Sequence, residues 1–500
     1  MAQVKVNTIS LSYAIESTPG VLPGTPTWKL LEPEDIGRFG VEVSKVARNP
    51  ISKNRQRRKG AVVDLTSGVE FEADFTLEHN IDFLEGFIFS TFQGPAVVQA
   101  GANFETLVVS SATAYGHDAL AAAIAEGALV YGRGFPTAAN NGLKEVDSGS
   151  TTTSTPIVGG GLTVESPAES TGATLEVCGV RAATSDLAIT VASGTATLTS
   201  TTLDFTTLSL TLGQKIHIGG LTTSEQFSAG AGYGRITALS ANSMTLDRLD
   251  SALATDPGTG DTVDLLFGRF ARNVDVDDAD YIERTFQFEA AWPDLAGSGV
   301  DRYSYSLANR ADTMAISLPL NDKASISFGF VGTDTNNPTG TRATNAATPV
   351  NPNQTAAFGT ASDIARLVLR DSSNNDQVTC FKSLTLTLSN GVTPENCLGT
   401  LGATFVNVAN FEVDFDAQAL FTEESVIAAI RNNTTLGLDF ILTNSDGAIA
   451  FDIPSLTLEG GDFELPRNES VIINVPGQAF GDATLDTSLS VSLFPVVPTS

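Results

Sequence analysis

From Val69 to Leu77 the chain alternates without a break: Val69, Phe71, Ala73, Phe75 and Leu77 are apolar, and Glu70, Glu72, Asp74 and Thr76 are polar. A period of two commits this stretch to a strand with one face in a core and the other in water. Directly before it lie seven of the chain's 28 lysines and arginines: Lys45, Arg48, Lys53, Arg55, Arg57, Arg58 and Lys59. Asn49-Pro50 and Gly60 interrupt regular structure there. The basic segment therefore reads as a long, loosely structured loop launched from a sheet. The rest of the chain is acidic, with a formal net charge of −29. A cationic arm on such a chain calls for an acidic neighbour, either a nucleic acid or another copy of the chain.

A length of 500 residues exceeds what one hydrophobic core usually serves, so two to four domains are expected. Charged residues make up only 17%, while glycine, threonine and serine are abundant, which suits a β-rich protein with many turns. No apolar run approaches the roughly 20 residues of a membrane span, and the N-terminus lacks the pattern of a secretory signal. Cys178, Cys380 and Cys397 are odd in number and widely spaced, so they read as isolated thiols of a protein made in a reducing cytosol. The acidic excess is concentrated at one end. From Ser383 onward only Arg431 and Arg467 are positive, against fifteen acids, whereas the first 102 residues carry ten bases and twelve acids. That asymmetry lets unlike surfaces of neighbouring copies attract.

Residues 1–44 are turn-rich, with Thr18-Pro19-Gly20 and Leu22-Pro23-Gly24 ahead of the apolar Trp28, Leu30 and Leu31; they read as an extended arm that packs on something else. Asn80 is placed to cap a short helix bearing Ile81, Leu84 and Ile88 on one face, with Gly86 an unfavourable residue in its middle. Residues 103–268 are poorer in charge and hold an internal repeat. Ala128–Gly132 parallels Gln214–Gly219, Leu143–Val146 parallels Gly234–Thr237, Leu162–Val164 parallels Met244–Leu246, and Thr174–Val177 parallels Thr262–Leu265. Each copy reads as a small all-β module. Alternation returns at Ile282–Ala290 and Ile326–Phe330, residues 334–360 read as a long loop, and further strands follow at Leu384–Leu388, Phe411–Phe415, Leu438–Leu442, Val471–Val475 and Leu489–Leu493. A helix is expected over Thr422–Asn432, capped by Thr422, with Val426, Ile427 and Ile430 as its buried stripe. The expected fold is mainly β: a β-sandwich or barrel core with one or two flanking helices, plus inserted small all-β modules. The boundaries are 1–102 for the first half of the core with its N-terminal arm and basic loop, 103–180 and 181–268 for the two modules, and 269–500 for the second half.

Searches for chemistry mostly fail. His79, His117 and His217 are far apart, so no zinc pair exists, and no CxxC, Walker loop or GxSxG elbow is present. The run Asp275, Asp277, Asp278, Asp280 does not fit a calcium loop, because Ala279 takes a ligand position and Phe286 stands where the bidentate Glu belongs; it reads as a solvated acidic turn. No enzyme, cofactor or metal site is expected. RQRRKG resembles a nucleic-acid patch, but it lacks interleaved aromatics, so a protein partner is the favoured neighbour.

Several stretches together resemble the tail tube protein (major tail protein) of long, non-contractile-tailed bacteriophages. They are ESTPGVLPGTPTWKLLEP, NPISKNRQRRKGAVVDLTSGVEFEADFTL, GRFARNVDVDDADYIERTFQFEAAWPDL, NRADTMAISLPLNDKASISFGFVGTDTNNPTGTR and GDFELPRNESVIINVPGQAFGDATLDTSLSVSLFP. They cover most of 1–92 and 269–500, with the module pair as an insertion between halves of one core. The resemblance implies a structural virion protein of a siphophage, made in the host cytoplasm, that self-assembles as hexameric rings stacked into a hollow tube. That tube is the conduit for DNA ejection, and its partners are the tape measure, tail terminator and baseplate or tip proteins. The residues agree with it. A head-to-tail contact that closes makes a ring, and charged loops and arms serve such contacts, so Arg48, Lys53, Arg55, Arg57, Arg58 and Lys59 are candidates for inter-subunit contact. A negative bore would pass double-stranded DNA without holding it, which makes Glu70, Glu72, Asp74, Glu283 and Glu289 candidates for the lumen. The alternative from another class is a repeat-bearing surface adhesin or S-layer-like protein, favoured by the modules and disfavoured by the basic arm and the absent signal peptide.

Overall fold

The computed structural model describes residues 8–498 apart from 50, 52, 54–57, 79, 100–105, 168–171, 294–299, 344–348, 351–354, 372–373, 379, 423, 466 and 468–469. The protein is mainly β, with a sandwich-type core, several sheets and two α-helices among the described residues. Among the described residues no helix is long and apolar enough to cross a membrane. By contacts the chain divides into two compact units that interleave along the sequence. One comprises Met1–Ser90, Asp275–Ala357 and Ser383–Ala417; the other comprises Thr91–Val274, Phe358–Lys382 and Gln418–Ser500.

The first unit is built around one long strand, Arg302–Leu318. Its first half pairs with Phe286–Trp292, which in turn pairs with the N-terminal strand Ser10–Ile15. Its second half pairs with Ser325–Gly332 on one side and with Phe381–Ser389 on the other. The strand passes from one sheet to the other at Ala308, whose φ of 52° is unusual for a residue with a side chain. Asn309 secures the corner. It is fully buried, donates from Nδ2 to the Phe286 carbonyl (3.0 Å) and accepts from Ser306 Oγ (3.0 Å). Strand Arg58–Asp74 adds to Ser325–Gly332, with Phe71 opposite Phe328 and Val69 opposite Phe330.

The two sheets enclose a layer of aromatic rings. Phe71 faces Phe288 at 6.3 Å and Phe288 faces Phe330 at 4.9 Å, while Phe83 reaches Phe286 at 5.3 Å and Phe328 at 5.0 Å. Tilted and edge-on pairs of this kind add roughly 0.5–1.5 kcal/mol each beyond the area they bury. Phe83 belongs to the helix Ile81–Ile88, which forms where Asn80 was expected to start it, although the Asn80 side chain bonds the Thr76 carbonyl and caps nothing. Gly86 is now explained. A Cβ there would stand 2.8 Å from the Phe286 ring, so the helix lies against the sheet only because the residue has no side chain. The N-terminal arm packs as expected, with Trp28 buried edge-on to Tyr305 at 6.1 Å.

In the second unit, the two halves of 107–266 share one order of pairing. Each begins with a hairpin, Leu107–Ser111 with Ala114–His117 or Leu187–Ala192 with Thr195–Ser200. A second antiparallel pair follows, Ala128–Arg133 with Gly142–Glu145 or Lys215–Ile218 with Gly232–Ser240. The next strand returns to the hairpin (Ser154–Pro156, Ser243–Asp247), and the last returns to the second pair (Thr174–Arg181, Asp264–Leu266). Even the 3-10 turns correspond, at Ala138–Asn140 and Thr223–Glu225. The sequence parallel at Leu162–Val164 was misplaced: those residues form no strand, and Ser154–Pro156 is the counterpart of Ser243–Asp247. The last strands of the two halves pair with each other, Gly179 opposite Leu266 and Arg181 opposite Asp264. There Arg181 holds Asp264 (2.8 Å), Glu145 (3.0 Å) and Glu225 (2.7 Å) at once.

The same unit contains the C-terminal strands. Leu436–Asn444 lies between Ile364–Asp371 and Gly447–Leu458, and Gly447–Leu458 also pairs with Ser490–Phe494. The helix near Thr422 spans Ser425–Arg431 and begins after Glu424, so Thr422 is not its cap; Val426 is buried, while Ile427 and Ile430 are half-buried. The strand expected from Ile282 begins at Phe286, because the Ile282 amide is taken by the Phe89 carbonyl instead of a ladder.

Candidate assembly surfaces

The basic segment is not a loose loop along its whole length. Asp35–Arg48 and Arg58–Asp74 form one long antiparallel hairpin, with Val43 opposite Leu65, Lys45 opposite Val62 and Arg48 opposite Arg58. Valines at 41, 43, 46, 62 and 63 supply the β preference that the charges obscured in the sequence. All five are exposed, and so is Ile51. Lys45, Arg48, Lys53, Arg58 and Lys59 are exposed as well, and among the described residues none has an ion-pair partner. Arg55 and Arg57 lie outside the described residues. The far end of the hairpin thus presents apolar and cationic side chains together, with nothing among the described residues of its own protomer covering them. An arrangement of that kind marks an interaction surface.

A second surface has the opposite character. Strands Arg58–Asp74, Ser325–Gly332, Arg302–Leu318 and Phe381–Ser389 lie side by side, and the face turned away from the aromatic layer is organised in three rows. Glu70 leads Gly329, Thr313 and Ser389; Glu72 leads Ser327, Ala315 and Thr387; Asp74 leads Ser325, Ser317 and Thr385. Across these four strands each row is one carboxylate followed by small side chains; on the next strand, Asp35–Arg48, the Glu70 row continues to Arg38 and the Glu72 row to Asp35. Bases occur only at its margin. Arg38 lies 3.9 Å from Glu70, and Lys323 lies 2.7 Å from Asp74 and also pairs with Glu34.

The two remaining sequence candidates sit elsewhere in the first unit. Glu283 is paired with Arg310 at 2.6 Å. Glu289 is buried, held by Arg342 at 2.6 Å, by Tyr305 Oη at 2.7 Å and by Ser12 Oγ at 3.5 Å. Burial, with the Glu289 charge beside it, raises the Tyr305 phenol well above its ordinary value. The acidic run at 275–280 spends Asp278 on its own turn, accepting from the Asp280 amide at 2.9 Å. Among the described residues no cluster of His, Cys, Asp and Glu is arranged to hold a metal ion.

Two features escaped the sequence. One is a buried charge cluster in the second unit. Lys215 Nζ donates to Asp439 Oδ2 (2.8 Å) and lies 3.6 Å from Asp452 Oδ1. Arg366 joins Asp439 (2.6 Å) and also Asp250, while Arg235 joins Asp452 (2.7 Å) and Asp247 (2.6 Å). Burial alone would push the Asp439 carboxyl up. The Lys215 and Arg366 charges outweigh it and hold that carboxyl well below the usual range. The other is a two-stranded ribbon, Thr393–Asn396 with Ala403–Asn407, which forms a sheet by itself. Leu398, Leu401 and Phe405 on it are exposed.

Among the described residues the arrangement offers an uncovered cationic hairpin, an acid-led small-residue face and a sandwich to carry both. Comparison with curated proteins finds no match. A family model described as "Phage tail tube protein" matches residues 6–479, nearly the whole chain. The chain belongs to the phage tail tube protein family, whose members are structural components of the virion that build a tube with other tail proteins.

Proposed function

We propose that the chain closes into hexameric rings, that the rings stack into the tail tube of a siphophage, and that DNA is ejected through the bore. The observation that carries this reading is the three-row face. DNA carries one negative charge per roughly 1.7 Å of helix axis and is held wherever cations line its path. A face of Glu70, Glu72 and small hydroxyl, alanine and glycine side chains offers no such hold and no bulk to obstruct passage. The cations lie instead on the hairpin, where they meet neighbouring copies. In this reading Glu70, Glu72 and Asp74 line the lumen, and the tape measure, terminator and tip proteins meet the tube inside and at its ends. The modules of 103–268 are an insertion into the tube core.

Electron microscopy of the purified protein, paired with titration of short duplexes at two salt concentrations, tests this. Hollow tubes with sixfold cross-sections and no appreciable duplex binding at moderate salt are expected. Failure to form any ring or tube refutes the assembly. Tight binding by the tubes that weakens steeply with salt refutes the assignment of the face to the bore and puts the hairpin cations against DNA.

A further inference from the structure

The ribbon 393–407 packs one side on its own protomer, where Val406 is buried and Gly402 lies against Leu65 and Thr333, but among the described residues nothing covers its other side. A two-stranded ribbon is marginal in water by itself, yet this one exposes Leu398 completely, Leu401 at 56% and Phe405 at 64%. It is tied to the hairpin shaft by Asn396 Nδ2, which donates to Asp64 Oδ1 at 2.9 Å. The chain then runs into strand Glu412–Leu420, which buries Val413, Phe415 and Ala417 and exposes Glu412, Asp414 and Asp416 on its other face. Two residues of strand span roughly 6.6 Å, so this is an evenly spaced row of carboxylates. Among the described residues none of the three has an ion-pair partner.

The hairpin has the complementary properties: exposed valines, with Lys45, Arg48, Arg58 and Lys59 gathered towards its far end, Arg48 directly opposite Arg58. Among the described residues its cations make no ion pair with the ribbon or with the acidic row of their own protomer. The Asn396–Asp64 contact fixes the ribbon beside the shaft, level with Ser44, which is opposite Asp64. The strand continues from Ser44 to Arg48, about 13 Å further along. Arg48 and its neighbours Arg58 and Lys59 on the facing strand therefore lie well past the point where the ribbon meets the shaft.

We infer that the ribbon with Leu398, Leu401 and Phe405 and the adjoining row Glu412, Asp414, Asp416 form the receiving surface for the cationic hairpin of another copy. This rests on the tube reading above and names the acceptor in it. Donor and acceptor are different patches, so the contact is head-to-tail and repeats from copy to copy. Valines against Leu398 and Phe405 supply burial, and opposite charges set the register and speed encounter.

Charge exchange tests it on the full-length chain. The donor variant carries Arg48→Glu, Arg58→Glu and Lys59→Glu; the acceptor variant carries Glu412→Lys, Asp414→Lys and Asp416→Lys; the third variant combines all six. Growth is followed by light scattering and microscopy, and folding by thermal unfolding. Each single-surface variant should stay folded and grow on the order of tenfold more slowly or not at all, since like charges then face each other. The combined variant should regain growth, because the pair is restored with reversed sign. Absence of recovery, with all three variants folded, overturns the inference. So does recovery when the donor variant is combined with Asp462→Lys and Glu464→Lys in place of the three acceptor changes. If the unaltered protein forms no tube, the tube reading fails instead.

Discussion

Lys215→Met is the sharpest probe of how the second unit is held together. Lys215 is 1% exposed and faces two carboxylates that are themselves buried, Asp439 at 2.8 Å and Asp452 at 3.6 Å. Removing one member of a buried pair typically costs about 3–5 kcal/mol, because the charge left behind has lost its water as well as its partner. Here each carboxylate keeps an arginine, Arg366 on Asp439 and Arg235 on Asp452. The lower end, about 3 kcal/mol, is therefore expected, a little over a hundredfold in the opening equilibrium. Adding Asp439→Asn should recover part of it. Arg366 then retains Asp250, Arg235 retains Asp452 and Asp247, and no buried carboxylate is left short of a cation. The coupling between the two changes should be about 1–3 kcal/mol. Urea unfolding gives the free energies, and hydrogen exchange over 436–458 shows where opening occurs. If Lys215→Met is as stable as the unaltered chain, or the double variant is the less stable of the two, the cluster does not join these strands in the way described.

His217 makes the same unit acid-sensitive at milder pH. Burial pushes its ring down to about 4 against an ordinary 6.5, opposed by its bond to the Gly219 carbonyl at 2.9 Å. The unfolded chain takes up a proton well before the folded one does. Stability should therefore fall as pH drops from about 6.5 to about 4, by roughly 3 kcal/mol in all. Urea midpoints at three pH values should flatten in His217→Phe, and parallel curves for the two proteins would refute the assignment. Excising 103–268 and rejoining its ends tests the insertion. The remainder should still unfold cooperatively, but at lower urea, since Asp439 and Asp452 lose Lys215 and Arg235. Asp439→Asn with Asp452→Asn should raise that midpoint, and non-cooperative unfolding of both excised forms would count against an insertion.

Local signals were legible in the sequence and long-range ones were not. The alternation over Val69–Leu77 announced a strand because period two is a property of consecutive residues, and Phe71 and Phe328 duly meet across a ladder, although the strand stops at Asp74 and Phe75 and Leu77 are buried beyond its end. The helix at Ile81–Ile88 followed from spacing, but the reason for Gly86 lay 200 residues away in Phe286. At Lys45–Lys59 charge density masked a hairpin whose strands enter both ends of the segment, up to Arg48 and from Arg58 on, with β-branched Val41, Val43, Val46, Val62 and Val63 along them. Glu289 alternates with Phe286, Phe288 and Ala290 as a water-facing residue should, yet Arg342 and Tyr305 cover that side of the strand. Lys215 and Asp439 are separated by 224 positions, and neither has a neighbour that betrays the pairing. The three rows became visible only once register joined Glu72 to Ser327, Ala315 and Thr387.

The shared strand Arg302–Leu318 has a mechanical consequence. In an ordinary two-layer sandwich the sheets meet only through side chains, and a sideways force can slide one over the other. Here the backbone itself crosses between the layers at Ala308, and Asn309 pins the crossing to Phe286. Shear between the layers must stretch covalent bonds or strip both sets of ladder bonds, those to Phe286–Trp292 and those to Ser325–Gly332, together. The acid-led face and the strand layer behind it therefore deform as one plate, with the stiffness of a stitched laminate and not of two stacked sheets.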